Sequence, residues 1–172
     1  CLVPERREER TTEGGLDIIS TEKELKAYIT PLLEKSIKVS IFVSAELEQI
    51  EAAFRIGAPV VELNTGSFCD FFSQNRVEEY SNEMTKLKKA ASRAKKLDLE
   101  VHGGHGISYD TARLVAAIPQ IQELNIGHFL ISESISPFKR SDLFITKIAF
   151  SSNKPFKTSL KSRFFASTTT NF

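Results

Sequence analysis

The sequence predicts an α/β protein built on parallel strands, and two observations carry that expectation. Between residues 17 and 135 the apolar pattern switches repeatedly from a helical period to short runs rich in β-branched residues, the signature of βα units. Three of those runs finish in small or polar residues, "NTG" (64–66), "GGHG" (103–106) and "IGH" (126–128), as strands do where they open onto a site at their carboxyl ends. A barrel and an open doubly wound sheet both give this pattern, and five strands do not decide between them.

In chain order, "CLVP" (1–4) reads as the end of a strand already under way, and the chain starts with Cys1 rather than Met, so it is expected to have lost its beginning. A charged loop, "PERREERTTEGGLD" (4–17), follows; its Arg6, Arg7 and Arg10 are interleaved with Glu5, Glu8 and Glu9, which favours mutual pairing on a solvated loop over phosphate binding. Leu25, Tyr28, Ile29, Leu32, Leu33 and Ile37 share one helical face, opened by a capping box from Thr21 to Glu24, and Pro31 predicts a kink or a late start. "KVSIFVS" (38–44) is the next strand. A helix with Leu47, Ile50, Ala53 and Phe54 on one face stops at Gly57 and Pro59, before the strand "VVELNTG" (60–66). Residues 76–97 form a longer amphipathic helix with Met84, Leu87, Ala91, Ala94 and Leu97 on its apolar side; its lysines at 86, 88, 89, 95 and 96 read as a solvated face, not a nucleic-acid surface. The strand "LEVHGG" (99–104), a helix "YDTARLVAAI" capped by Ser108 and ended at Pro119, and a last strand "ELNIGHFLIS" (123–132) complete the pattern.

Composition narrows the function classes. A net charge of +1 over 172 residues gives no reason to expect a polyanionic partner, and no apolar run approaches the roughly 18 residues that a membrane span needs. Two cysteines without paired spacing, Cys1 and Cys69, favour a reducing, cytoplasmic setting. The average charge conceals a division: residues 136–172 hold seven Lys or Arg against the single acid Asp142, with seven phenylalanines and twelve Ser or Thr in no periodic order. A flexible tail is poor in aromatics and a folded one is patterned, so this segment is read as a separate tail whose reading frame was lost near Ile135. Translating the DNA in the other two frames past that point tests this; the idea fails if neither frame yields an amphipathic helix.

Chemistry concentrates at the strand ends. Glycines there allow positive φ and a close backbone approach to an anion, and the loops after the last two strands of a barrel commonly take a phosphate. His105, between Gly104 and Gly106, has no bulky sequence neighbours, which favours a catalytic or ligand-binding use over a structural one. His128, after Gly127, is balanced between a site role and a turn with a satisfied imidazole. His102 lies within its strand and reads as a barrel-interior or hydrogen-bonding residue. An imidazole ordinarily titrates near about pH 6.5, which suits proton transfer at neutral pH. Metal binding by the histidines with Glu62 is disfavoured, because a spacing of three puts His102 and His105 on opposite sides of a strand. Cys69 has no sequence-local base and reads as an inert thiol. Thr11 and Thr12 offer hydroxyls near the presumed active face.

"CLVPERREERTTEGGLD", "ELNTG", "GGHGISY" and "IPQIQELNIGH" together resemble pyridoxine 5′-phosphate synthase of the deoxyxylulose-5-phosphate-dependent vitamin B6 pathway, in order, from Cys1 to about Ile135. The resemblance implies a TIM (β/α)8 barrel, of which residues 1–135 supply roughly strands 4 to 8 with their helices. It implies a cytoplasmic transferase that condenses 3-amino-2-oxopropyl phosphate with 1-deoxy-D-xylulose 5-phosphate, releases phosphate and water, and uses no metal and no organic cofactor. By motif, His105 is the proton donor, Thr11 contacts the deoxyxylulose phosphate, and Gly106, Gly127 and His128 hold the aminoketone phosphate. Its partners are small phosphorylated substrates, with no nucleic acid or membrane, and the full-length member is a homo-oligomer.

This sequence departs from the family in three respects. A second histidine, a glutamate and further binding residues of the first three strands have no counterpart, Asn64 stands where the family more often has histidine, and the tail replaces the final helix. An open arc exposes strand edges, so the chain as written is expected to be poorly stable and inactive. The reading from a different class is a non-catalytic remnant that retains at most a phosphate-binding half-barrel.

Overall fold

The computed structural model describes residues 1–4 and 14–135. Residues 5–13, which include Thr11 and most of the charged loop, and the tail expected over 136–172 lie outside the described residues. In chain order the elements are α1 (Ile18–Glu34), β1 (Ser40–Val43), α2 (Leu47–Ile56), β2 (Val60–Asn64), α3 (Gly66–Ser73), α4 (Val77–Lys96), β3 (Glu100–Gly104), α5 (Tyr109–Ala116), β4 (Ile121–Asn125) and α6 (His128–Ile135). The four strands form one parallel sheet in the order β1-β2-β3-β4. "CLVP" flanks β1 through a single parallel bridge, in which the Leu2 N–H donates to the Ser40 carbonyl at 2.7 Å and the Leu2 carbonyl accepts the Phe42 N–H at 2.9 Å. Each strand is thus the neighbour of the next in sequence, without the reversal of order that marks a doubly wound sheet.

Register explains the division of the two sheet faces, because residues paired across parallel strands point the same way. Ile41, Val61, Val101 and Ile121 pair in one row, and with Val43 and Leu63 they enter the apolar core together with Ile50, Ala53, Leu87, Ala91, Ala94 and Val115 of the helices. Each fully buried aliphatic side chain of this kind stabilises the fold by about 1.5–3 kcal/mol before entropy is counted. Phe42, Glu62, His102 and Glu123 pair in the alternate row. That opposite face is largely polar, and its buried apolar members, Phe42 and Val60, do not belong to the helix-covered core.

Several local expectations are corrected. α1 starts at Ile18, where Asp17 caps it by accepting the Ser20 N–H, and Thr21 instead breaks the helix at φ −121° while its hydroxyl donates to the Asp17 carbonyl at 2.7 Å. The kink falls there and not at Pro31, which sits inside the helix near the fully buried Ile29. Tyr28 and Ile37 are exposed, and so are Leu47 and Phe54, because the buried stripe of α2 is Ile50, Ala52, Ala53 and Ile56. β2 ends at Asn64 and the chain turns at once into α3, which the pattern did not reveal. The run 123–132 is not one strand: β4 stops at Asn125 and His128 opens α6, with the Ile131 N–H donating to the Gly127 carbonyl at 3.1 Å. A short apolar run does not by itself separate strand from buried helix. Ser108 does cap α5, in a reciprocal box with Thr111.

Candidate active site at the carboxyl ends of the strands

A cleft of about 530 Å³ lies at the carboxyl ends of the strands. Phe42 and Glu62 reach it from β1 and β2, His105 and Gly106 from the loop after β3, and Asn125, Gly127 and His128 from the end of β4 and the start of α6. Four of the five residues singled out in the sequence, His105, Gly106, Gly127 and His128, therefore line one cavity, and Thr11 lies outside the described residues.

His105 is exposed and holds a backbone φ of +75°, followed by Gly106 at the same value. Its imidazole lies 6.2 Å from the Phe42 ring, centroid to centroid, with the planes at 59°. The ring rests against Gly66, where a Cβ would come within 2.5 Å of the imidazole Cδ2. At the other wall, Gly127 and His128 begin an eight-residue helix, whose first N–H groups have no partner within it and give an anion a partial positive charge to approach.

The sequence offers Glu62 only as a disfavoured metal ligand and gives Asn125 no site role. Glu62 is buried and accepts hydrogen bonds at Oε2 from Asn125 Nδ2 at 2.6 Å and from the Cys1 thiol at 3.3 Å. A Cβ on Gly104 would overlap its carboxylate, so the glycine that ends β3 leaves the space that this side chain fills. Burial pushes the Glu62 carboxyl above its ordinary range, against the opposing pull of the Asn125 hydrogen bond and the His102 charge. The protonated form is thereby favoured in the folded state, so the stability Glu62 contributes is complete below about pH 4.3, the ordinary range of a free glutamate, and is lost as pH rises through its raised value. Glu62→Gln, which keeps an acceptor for Asn125, is expected to raise the urea midpoint at pH 7 and to leave it unchanged at pH 4. Equal midpoints at both pH values would show that the carboxyl is not displaced.

His102 is placed as its strand position predicted. It is buried, with Nε2 2.8 Å from Glu100 Oε1 and Nδ1 3.9 Å from Glu123 Oε1. Burial raises Glu100, but the hydrogen bonds from Lys38 and His102 outweigh it and hold the carboxyl below its ordinary range. The Cys69 thiol is buried 3.5 Å from the Thr111 hydroxyl, and burial pushes its pKa up, which suits an unreactive thiol. No helix among the described residues is long and apolar enough to cross a membrane.

A parallel α/β sheet with an imidazole, a buried carboxyl and a helix N-terminus converging at its carboxyl ends defines an α/β protein with the layout of a small-molecule enzyme. The family described as pyridoxal phosphate biosynthesis protein PdxJ matches residues 1–137, and the chain belongs to it. Its relatives include proteins named pyridoxine 5′-phosphate synthase from Jannaschia sp. (54% identical over 135 residues, 78% of this chain and 54% of the relative) and Roseobacter denitrificans (53%, with the same coverage). The protein of that name from Xanthobacter autotrophicus is 54% identical over 78% of this chain and 52% of its own length. The chain spans about half the length of the curated relatives it matches.

Proposed function

We propose that this chain carries the proton-donating and aminoketone-phosphate-binding part of a pyridoxine 5′-phosphate synthase. The reaction condenses 3-amino-2-oxopropyl phosphate with 1-deoxy-D-xylulose 5-phosphate in the cytoplasm and releases phosphate and water. In this reading the sheet is an arc of a (β/α)8 barrel, roughly strands 4 to 8; the sequential strand order and the shared polar face support it. His105 donates a proton to the condensing substrates. Gly106, Gly127 and His128 hold the aminoketone phosphate, and Thr11 contacts the phosphate of the deoxyxylulose substrate.

The observation that carries the proposal is the meeting of the His105–Gly106 loop and the Gly127–His128 helix start on one cleft. A phosphate at the helix start places the rest of a three-carbon aminoketone toward the imidazole. Glu62, protonated more readily than an exposed carboxyl, stands on the same wall and can exchange a proton with the bound molecule. Product formation and phosphate release are measured with both substrates, first for the 172-residue chain alone. The measurement is repeated after adding the portion of the Jannaschia relative that this chain does not match. Pyridoxine 5′-phosphate is expected from the mixture. No product from the mixture, with both components folded and associated, would sink the proposal.

A further inference from the structure

Thr65 is fully buried and occupies the residue that caps α3, where a threonine ordinarily turns its hydroxyl to an N–H of its own helix. Here it makes no such bond. The hydroxyl crosses to the loop after β3 instead, 2.6 Å from the His105 carbonyl and 2.9 Å from the Gly104 carbonyl. The Gly104 carbonyl already accepts the Thr65 N–H at 2.8 Å, so the hydroxyl proton is best used by the His105 carbonyl. The Cys69 thiol lies 3.9 Å from the Thr65 hydroxyl oxygen.

The recipient of this bond is unusual. Ser36, Asn75 and Asp98, the other non-glycine residues with positive φ among those described, each follow the last turn of a helix, where a left-handed residue commonly ends it. His105 lies in a strand-to-helix loop, and a side chain at positive φ there persists only where its surroundings over-determine it. Its surroundings are the Thr65 hydroxyl on its carbonyl, the bare Cα of Gly66 beneath its ring and the Phe42 ring beside it.

We propose that Thr65 is a positioning residue: its hydroxyl, turned from its own helix onto the His105 carbonyl, fixes the loop so that the imidazole stands in the cleft. The functional consequence rests on the reading of His105 as proton donor; the structural one does not. The test is made by nuclear magnetic resonance on the 172-residue protein and its Thr65→Ser, Thr65→Val and Thr65→Ala variants. The parent and Thr65→Ser are expected to show the strong intraresidue N–H to Hα cross-peak of a positive φ at His105, and a cross-peak between the His105 and Phe42 rings. Thr65→Val and Thr65→Ala are expected to lose both while the cross-peaks between β1, β2 and β3 remain. If Thr65→Val does not fold, Thr65→Ala decides, because it puts no methyl against the two carbonyls.

Retention of both His105 signals in the folded variants overturns the proposal. Loss of the whole sheet spectrum in both variants overturns it too, since Thr65 would then hold the fold and not the imidazole. In the supplemented turnover assay, kcat of Thr65→Ala is expected to fall about a hundredfold with KM for the aminoketone phosphate little changed, and Thr65→Ser to restore it. Absence of product from the parent counts against the proposed function, and the resonance outcome still decides the role of Thr65.

Discussion

His105→Asn is expected to lower turnover in the supplemented assay by about 10²- to 10⁴-fold, the usual contribution of a placed general acid, and to leave the fold intact. The choice of asparagine matters, because His105 holds φ +75° and asparagine is among the non-glycine residues that best tolerate that region. The loop geometry is therefore kept while the titrating group is removed. The side chain is exposed and touches the Phe42 ring and Gly66 without joining the core, so the urea midpoint should move little. Undiminished product formation in a folded His105→Asn protein would refute the proton-donor assignment. His102→Asn offers the contrast: that imidazole is buried between Glu100 and Glu123, and its loss should cost stability.

The separation of these two histidines was legible in the sequence because strand periodicity alone decides it. His102 lies inside "LEVHGG", so it takes a sheet face, whereas His105 comes after the glycines that end the strand. The parallel βα alternation was legible for the same local reason. What local pattern did not give was anything set by a second strand. Glu62 occupies an unremarkable position in "VVELN", and its burial follows from Gly104 and Asn125 standing beside it, 42 and 63 residues further along the chain. The α3 helix was missed because "GSFCDFFS" has no side-chain cap to announce it; the Asn64 side chain that turns the chain there does so by accepting the Gly66 N–H at 2.8 Å. Thr65 was invisible as a functional candidate for a related reason: its hydroxyl reaches a carbonyl 40 residues away.

Gly15→Ala is expected to destabilise the protein by about 3 kcal/mol or more, at the upper end of overpacking effects. From Gly14 the chain runs against the end of β1, where the Leu16 N–H donates to the Phe42 carbonyl at 2.8 Å. A Cβ on Gly15 would overlap the Ser44 nitrogen and lie 2.5 Å from the Val43 carbonyl carbon and 2.7 Å from its Cα. All three are backbone atoms, two of them in Val43, a fully buried strand residue paired with Leu63, so they cannot yield as the end of a flexible side chain can. The entering segment must lift instead. That breaks the Leu16 bond and draws on Ile18, which is fully buried and whose N–H donates to Gln49 Oε1 at 2.9 Å. Gly14→Ala is the matched control, because a Cβ there meets nothing within 4 Å, and it should stay within about 0.5 kcal/mol of the parent. Urea unfolding of the two variants decides the matter, and equal midpoints would show that the segment is not seated on β1. The seating also bears on the cleft, since Phe42, whose carbonyl receives the Leu16 bond, carries the ring that stands beside His105.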